Sequence, residues 1–229
     1  MIKNLRRAAL AVALVVLPLL ASGPAQAHAQ AHGRAAEPRT LPMANAVGVL
    51  PLADEVREGY QRTSFRHWNA GQNPTDGCNT RAEVLISEAV DPPAVLAGCR
   101  LSGGRWWSYY DARWVTEAGS LDVDHMVPLA EAWDSGASQW TAQRREAYAN
   151  DLDALTSLIA VTAASNRSKA DKDPAEWLPP ADGVLCRYLS EWVGTKLRWG
   201  LSADAVEFEA LTRLAQSCPD TSVTYDPAP

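Results

Sequence analysis

The hydrophobic pattern of the chain predicts short strands and helices in alternation. Residues 78–89 place their apolar side chains on one helical face, and Thr80 followed by Glu83 fits a capping box at the start of this helix. Residues 105–123 are rich in aromatic and β-branched side chains, which favour β structure. The pattern therefore mixes helix and strand within one region.

A second series of elements follows. Residues 121–124 alternate apolar and acidic side chains, which predicts a strand that ends at Asp124 and His125. The elements predicted after this strand are, in chain order, a helix over 129–135 opened by Pro128, a helix over 141–149, a strand over 158–162, a helix over 163–172 that stops before Pro174, and amphipathic helices over 185–199 and 202–216, the last capped by Ser202.

The start of the chain has the organisation of a secretory signal peptide. A basic segment over residues 3–7 precedes an apolar run over 8–21, and small residues at Ala25 and Ala27 suit a signal peptidase. We expect cleavage after Ala27, with Ala29 as the alternative. A membrane anchor is disfavoured, because the apolar run is shorter than the ~20 residues that span a bilayer. The mature protein is then expected to be secreted and free of the membrane.

The rest of the chain is long enough for one domain with a proper core. We predict a disordered lead-in over residues 28–40, a folded domain over 41–218 and a flexible tail over 219–229. An exported chain with four cysteines suggests disulfides, and three pairings could form. We favour Cys78–Cys99 and Cys186–Cys218, since each pair brackets one local block. A zinc site is disfavoured because CxxC and CxxH spacings are absent from the sequence.

The net charge of the chain bears on whether it can bind nucleic acid. The formal net charge is −6, and residues 1–27 carry three basic residues and no acidic one, so the mature protein lies near −9. This balance weighs against tight nucleic-acid binding driven by global charge. A local basic patch beside a metal site remains compatible with it.

Two stretches carry candidate chemistry. Charged side chains at the end of an apolar strand are costly unless they are paired or coordinate a cation. The Asp124 carboxylate suits a hard divalent cation, and a neutral imidazole at His125 suits general-base work. About forty residues downstream, Asn166 offers a neutral oxygen ligand. Three nearby cations could meet a polyanion: Arg167, Lys169 and Lys172.

These stretches, Asp-Val-Asp-His-x-Val-Pro followed by Asn-Arg-x-Lys, resemble the HNH nuclease motif. Over residues 41–218 the chain is similar to exported bacterial HNH endonucleases of the DUF1524 type. The resemblance implies an α+β fold with a ββα-metal core (HNH or His-Me finger), added helices and two disulfides. It implies His125 as general base, Asp124 and Asn166 as metal ligands, and Lys169 as a catalytic cation. Asn150 is a candidate for the middle motif residue.

Other residues admit two interpretations. Arg81 could contact substrate phosphate together with Arg167 and Lys172, or could pair with a carboxylate. Glu131 could support the metal site or form a salt bridge with Arg144 or Arg145. His67 is expected to be structural.

The sequence thus predicts a secreted, metal-dependent endonuclease of low sequence specificity, acting on DNA with RNA as an alternative. One divalent ion is implied, with Mg²⁺ or Mn²⁺ ahead of Zn²⁺ or Ni²⁺, and the protein is expected to be a monomer. Two alternatives stay open: an exported binding protein with a vestigial motif, and a hydrolase of another phosphodiester. The sequence does not indicate an inhibitor protein.

Overall fold

The computed structural model describes residues 37–229 of the chain. The predicted signal peptide and most of the predicted lead-in lie outside the described residues. The described strands are β1 (Arg39–Pro42), β2 (Ala94–Leu96), β3 (Arg100–Ser102), β4 (Trp106–Ser108), β5 (Arg113–Val115), β6 (Leu121–His125), β7 (Leu158–Thr162) and β8 (Ser222–Tyr225). The described α-helices are α1 (Met43–Gly48), α2 (Thr80–Ser87), α3 (Leu129–Asp134), α4 (Ala142–Ala149), α5 (Ala163–Lys169), α6 (Leu185–Trp199) and α7 (Ala205–Ala215). The α+β class that the resemblance implied is confirmed.

Helix starts differ from the prediction in two places, for the same physical reason. Asn79 caps α2, accepting a hydrogen bond from the backbone N–H of Ala82, one residue before the expected Thr80. Asp204 caps α7, whereas the expected Ser202 donates its hydroxyl to the carbonyl of Ser135. In both cases a tertiary contact decides which of several suitable residues acts as the cap.

The end of the chain forms a strand. β8 pairs antiparallel with β1 in a two-stranded sheet. Val223 of β8 is fully buried, and helix α6 contacts this strand. The prediction of a flexible tail over 219–229 is therefore wrong for residues 222–225, and the predicted lead-in gives its last two residues to β1. The sequence signal was weak because the strand has four residues and only two of them, Val223 and Tyr225, pack against the core.

Two disulfides link local blocks of the domain, as predicted. Cys78 pairs with Cys99 and ties the start of α2 to the β2–β3 hairpin. Cys186 pairs with Cys218 and ties the start of α6 to the turn after α7. The larger core packs helices α1, α6 and α7 around Trp192 and Tyr188, while a smaller core lies between α2 and the β6–β7 sheet.

The β6–β7 sheet and α5 position the candidate site. The two strands are antiparallel, with Asp124 opposite Ile159 and His125 opposite Leu158. Helix α5 follows β7 directly, contacts both strands, and begins where the Thr162 side chain accepts from the backbone N–H of Ser165. Among residues 37–229, no helix has the length and apolar character needed to cross a membrane.

Candidate active site

An open cleft of about 440 Å³ lies where β6 ends, α3 begins and α5 passes. Four residues predicted from the sequence line this cleft: Asp124, His125, Asn166 and Arg167. The fold therefore brings together two stretches that are about forty residues apart in the chain.

The His125 imidazole is held in one orientation. Its Nε2 lies 3.0 Å from the carbonyl oxygen of Ala149, and a carbonyl only accepts, so Nε2 carries the proton. The ring stacks against Trp68 at 5.4 Å between centroids and against Tyr148 at 6.3 Å. The backbone of Trp68 has a φ of 59°, a left-handed conformation that a bulky residue rarely adopts. Burial lowers the pKa of His125 to about 3, so the ring is neutral near pH 7.

The second ring nitrogen is the reactive one in this tautomer. Nδ1 of His125 makes no hydrogen bond within the part of the chain that the structure describes, and the residue lines the cleft. A neutral imidazole that donates from Nε2 presents a lone pair on Nδ1. The arrangement can accept a proton there.

Asn150 fixes the segment that orients His125. Its Oδ1 accepts from the Asn69 backbone N–H at 3.0 Å and from the Thr80 hydroxyl at 2.9 Å. Its Nδ2 donates to the carbonyl oxygens of Arg66 and Glu146, each at 2.8 Å. This candidate for the middle motif residue therefore lies outside the cleft and anchors the segment that carries Ala149, the residue before it.

Asp124 is anchored by two donors on one oxygen. Its Oδ2 accepts from Lys169 Nζ at 2.5 Å and from the Tyr110 hydroxyl at 2.8 Å. Burial raises the pKa of Asp124, and the ion pair with Lys169 opposes that shift. Because Oδ2 is occupied, Oδ1 is the oxygen left to face a ligand.

The structure places Lys169 behind the cleft and not on its surface. Its side chain is fully buried, and Nζ also donates to the backbone carbonyls of His125 at 3.0 Å and Met126 at 2.9 Å. Three donors meet three acceptors, so no N–H remains for a substrate. The predicted direct contact with phosphate is therefore replaced by a positioning role on Asp124 and on the turn after β6.

Asn166 lines the same cleft as Asp124. Its Nδ2 donates to Asp122 Oδ2 at 3.0 Å, which orients the amide. Asp122 and Asp124 are two residues apart on strand β6, so their side chains lie on the same face. Within residues 37–229, the remaining side-chain oxygens of these three residues make no hydrogen bond. Such a set of carboxylate and amide oxygens fits a hard divalent cation.

Two arginines supply positive charge to the cleft. Arg62 and Arg167 both line the cleft, as does Tyr60, two residues before Arg62. Neither arginine forms a salt bridge among the residues that the structure describes. Sequence reasoning missed Arg62, because it lies in a loop-rich region more than fifty residues before the motif, with no pattern that distinguishes it.

Two other predicted substrate contacts lie outside the cleft lining. Arg81 donates to the carbonyl oxygen of Leu121 at 2.8 Å and so holds the start of β6. Lys172 donates to the carbonyl oxygen of Ser168 at 3.0 Å. The structure therefore brings only Arg167 of the three predicted substrate-binding cations to the cleft.

A separate group of carboxylates involves Glu131, which pairs with neither Arg144 nor Arg145. Carboxylate oxygens of Glu55, Glu131 and Asp134 lie within 4.8 Å of one another. Lys196 contacts Glu131 at 2.9 Å, and Arg57 contacts Asp134 at 2.6 Å. Burial and the neighbouring carboxylates raise the pKa of Glu55 to about 7. Since protein cations already neutralise two members, this group reads as a structural ion-pair network.

Comparison with known proteins assigns the chain to a family. The model for the C-terminal domain of GmrSD restriction endonucleases matches residues 99–214. The chain belongs to this family. The matched span of the GmrSD C-terminal domain contains Asp124, His125 and Asn166, whereas Arg62 and Arg81 precede it. Membership supports a nuclease-like domain that binds nucleic acid.

One curated relative is similar over most of the chain. An "Uncharacterized secreted protein" of Arthroderma benhamiae is 37% identical over 186 residues, which covers 79% of this chain and 89% of the relative. That description and the two disulfides are consistent with an extracellular protein. No solved structure matches the chain.

Proposed function

We propose that the protein is a secreted, metal-dependent endonuclease of the HNH type that hydrolyses DNA phosphodiester bonds with low sequence specificity. The observation that carries this proposal is the cleft itself. It combines a buried carboxylate at Asp124, an oriented neutral imidazole at His125 and an amide oxygen at Asn166 with two arginines that make no salt bridge within residues 37–229. Membership of a nuclease family supports nucleic acid as the substrate class.

The proposed catalytic core is the ββα-metal unit formed by β6, β7 and α5. The antiparallel pair ends at His125, and the helix that follows β7 returns Asn166 to the same strand. The order of these elements and the positions of Asp124, His125 and Asn166 on them support our proposal of an HNH-type motif like that of the DUF1524 family. Two disulfides take the place of the zinc-binding cysteines that hold some HNH proteins together.

In the proposed reaction, His125 Nδ1 accepts a proton from water as the water oxygen forms a bond to phosphorus. The bond between phosphorus and the 3′ oxygen breaks, leaving a 5′-phosphate and, after protonation, a 3′-hydroxyl. The Ala149 carbonyl keeps the proton on Nε2, so Nδ1 stays available. An anionic phosphate in the cleft favours the protonated ring and so opposes the effect of burial on its pKa.

The other residues of the cleft bind and orient the phosphate. Arg62 and Arg167 donate to its non-bridging oxygens and neutralise charge that develops on them. A divalent cation held by Asp124 and Asn166, with Asp122 beside them, would add Lewis-acid stabilisation of that charge; Mg²⁺ or Mn²⁺ is preferred for this oxygen set over Zn²⁺ or Ni²⁺. Lys169 and Tyr110 keep Asp124 pointing into the cleft.

The decisive test is digestion of plasmid DNA, linear DNA and RNA by the mature protein with Mg²⁺ or Mn²⁺, with EDTA as control. We expect His125→Ala to lower the rate at least a hundredfold, because general-base catalysis contributes about that much. Arg62→Ala should raise KM, while Arg66→Ala, on an exposed side chain outside the cleft, serves as its matched control. Cleavage rates are compared only between variants that have the same melting temperature as the wild type.

Two results of this test would contradict the proposal. If His125→Ala cuts DNA and RNA at the wild-type rate, His125 is not the base. If the wild type cuts no nucleic acid and binds no divalent ion, the vestigial binding protein is the better assignment. Hydrolysis of a small chromogenic phosphodiester without cleavage of DNA or RNA would instead indicate another phosphodiester as substrate.

A further inference from the structure

An exposed pair of tryptophans lies on the β4–β5 hairpin. Trp107 and Trp114 are opposite each other across the two strands, with ring centroids 5.0 Å apart. They are 40% and 51% exposed, whereas Trp106 and Ser108 on either side of Trp107 are buried. The hairpin therefore buries one face and presents two adjacent indole rings to solvent on the other.

Arginines border this aromatic surface. The Arg105 guanidinium lies 4.3 Å from the ring centroid of Trp114, in cation–π geometry. The Arg113 side chain, next to Trp114, is 75% exposed. Carboxylates lie close to both: Asp91 is 2.6 Å from Arg105, and Asp111 is 3.8 Å from Arg113. The surface thus offers aromatic rings and guanidinium groups with little net charge.

A shallow groove lies between Trp114 and the start of helix α5. Trp114, Arg113 and Glu117 line it on one side, and Ala163 and Ala164 at the start of α5 line it on the other. Arg167, one helical turn after Ala164 on the same face of α5, lines the cleft. Helix α5 therefore borders both the groove beside Trp114 and the cleft that holds His125, and a polynucleotide bound along this helix would reach both.

We propose that Trp107 and Trp114 form a stacking platform for unpaired nucleobases, so that the preferred substrate is a single-stranded or locally unpaired polynucleotide. This inference rests on the proposed function, since it assigns a substrate to the same cleft. Adjacent exposed aromatic rings mark interaction surfaces, and bases stack on aromatic side chains regardless of sequence. Membership of a nuclease family favours nucleobases over the sugar rings of a neutral glycan as the ligand that stacks there.

The platform also explains how an acidic protein could hold a polyanion. The formal net charge is −6, so binding driven by counterion release is disfavoured. Stacking does not depend on net charge. Binding of unpaired DNA should then depend only weakly on salt, unlike the steep dependence of proteins that bind many phosphates.

The test measures binding of a fluorescent twelve-nucleotide oligo(dT) and of a twelve-base-pair duplex by anisotropy, with EDTA present to prevent cleavage. We expect the wild type to bind oligo(dT) more tightly than duplex, with a loss of affinity of no more than about tenfold between 50 and 200 mM salt, since only two arginines contact phosphate in the proposed site. Trp107→Thr with Trp114→Thr should weaken oligo(dT) binding about tenfold or more. Threonine keeps the β propensity of the hairpin, and Val206→Ala, on an exposed residue of α7, is the control.

The inference fails if the double variant binds oligo(dT) as the wild type does, if the wild type prefers duplex, or if a neutral oligosaccharide displaces oligo(dT). Its failure can be told apart from failure of the proposed function. A working platform leaves hydrolysis of a small chromogenic phosphodiester within about twofold of wild type in the double variant. If the wild type binds oligo(dT) through the tryptophans but hydrolyses no phosphodiester, the platform stands and the nuclease proposal falls.

Discussion

Lys169 shows how a motif identifies a residue without fixing its role. The ammonium group is fully buried and donates to Asp124 and to two backbone carbonyls. A buried ion pair contributes little net stability, but loss of one partner leaves an uncompensated charge. The importance of Lys169 therefore lies in the geometry of Asp124 and of the turn after β6.

We predict that Lys169→Met destabilises the protein by about 3–5 kcal/mol, because Asp124 and two carbonyls lose their donor. Urea unfolding followed by circular dichroism measures the change. Lys172→Met, which removes a single contact near the surface, should change stability by less than about 1 kcal/mol. Equal stability of the two variants would contradict the buried role of Lys169.

The residues of the site differ in how far sequence could find them. Asp124 and His125 are predictable because adjacent acid and imidazole groups at the end of a strand form a recognisable local pattern, and Asn166 because Asn-Arg-x-Lys follows them as in the HNH motif. Arg62 and Trp68 are not, since each acquires its role only when a distant loop packs beside β6. Arg81 carries the right charge, yet its orientation toward Leu121 depends on tertiary packing.

At the scale of elements, periodicity predicted where strands and helices occur better than what they contact. Strand β7 and helix α6 have the predicted bounds, because each has a continuous apolar face. The pairing of β8 with β1 joins the two ends of the described chain, and no local pattern encodes that partner. Long-range pairings are the part of the fold that single-sequence reasoning leaves open.

Glu88 couples helix α2 to strand β7 and gives the contact a pH dependence. Its Oε2 accepts from the Ala160 backbone N–H at 2.9 Å, and burial raises the pKa of Glu88 to about 7 from 4.5. Between these values the folded state binds more protons than the unfolded state. The contribution of Glu88 to the free energy of unfolding is therefore fully present below about pH 4.5, where the carboxyl is protonated, and is lost as pH rises through about 7.

We predict that Glu88→Gln, which keeps an acceptor without the charge, stabilises the protein by about 2–3 kcal/mol at pH 8 and by little at pH 4.5. Urea unfolding across this pH range measures the difference. Glu209→Gln, on the exposed face of α7, is the control and should leave the profile unchanged. A stabilisation of Glu88→Gln that is independent of pH would contradict this account.

For the whole molecule, sequence reasoning predicted the two covalent links but not how charge is arranged. Each disulfide was predicted because its two cysteines bracket a local block. The net charge of −6, by contrast, gives no indication that Arg62 and Arg167 meet in one cleft. Net charge is a sum over the chain, and the placement of each charge is a property of the fold.

The disulfides should supply much of the stability of this domain while leaving the cleft intact. They close loops with sequence separations of 21 and 32 residues. Closing loops of this length lowers the entropy of the unfolded chain and so raises the free energy of unfolding by about 3–4 kcal/mol per disulfide. We predict that Cys78→Ala with Cys99→Ala, and separately Cys186→Ala with Cys218→Ala, lower the free energy of unfolding by about that amount in urea. No cysteine lines the cleft, so each variant that stays folded at low temperature should retain wild-type cleavage of DNA. Unchanged stability in both variants would mean that non-covalent packing alone holds the fold, and dithiothreitol would then leave the wild-type unfolding curve unmoved.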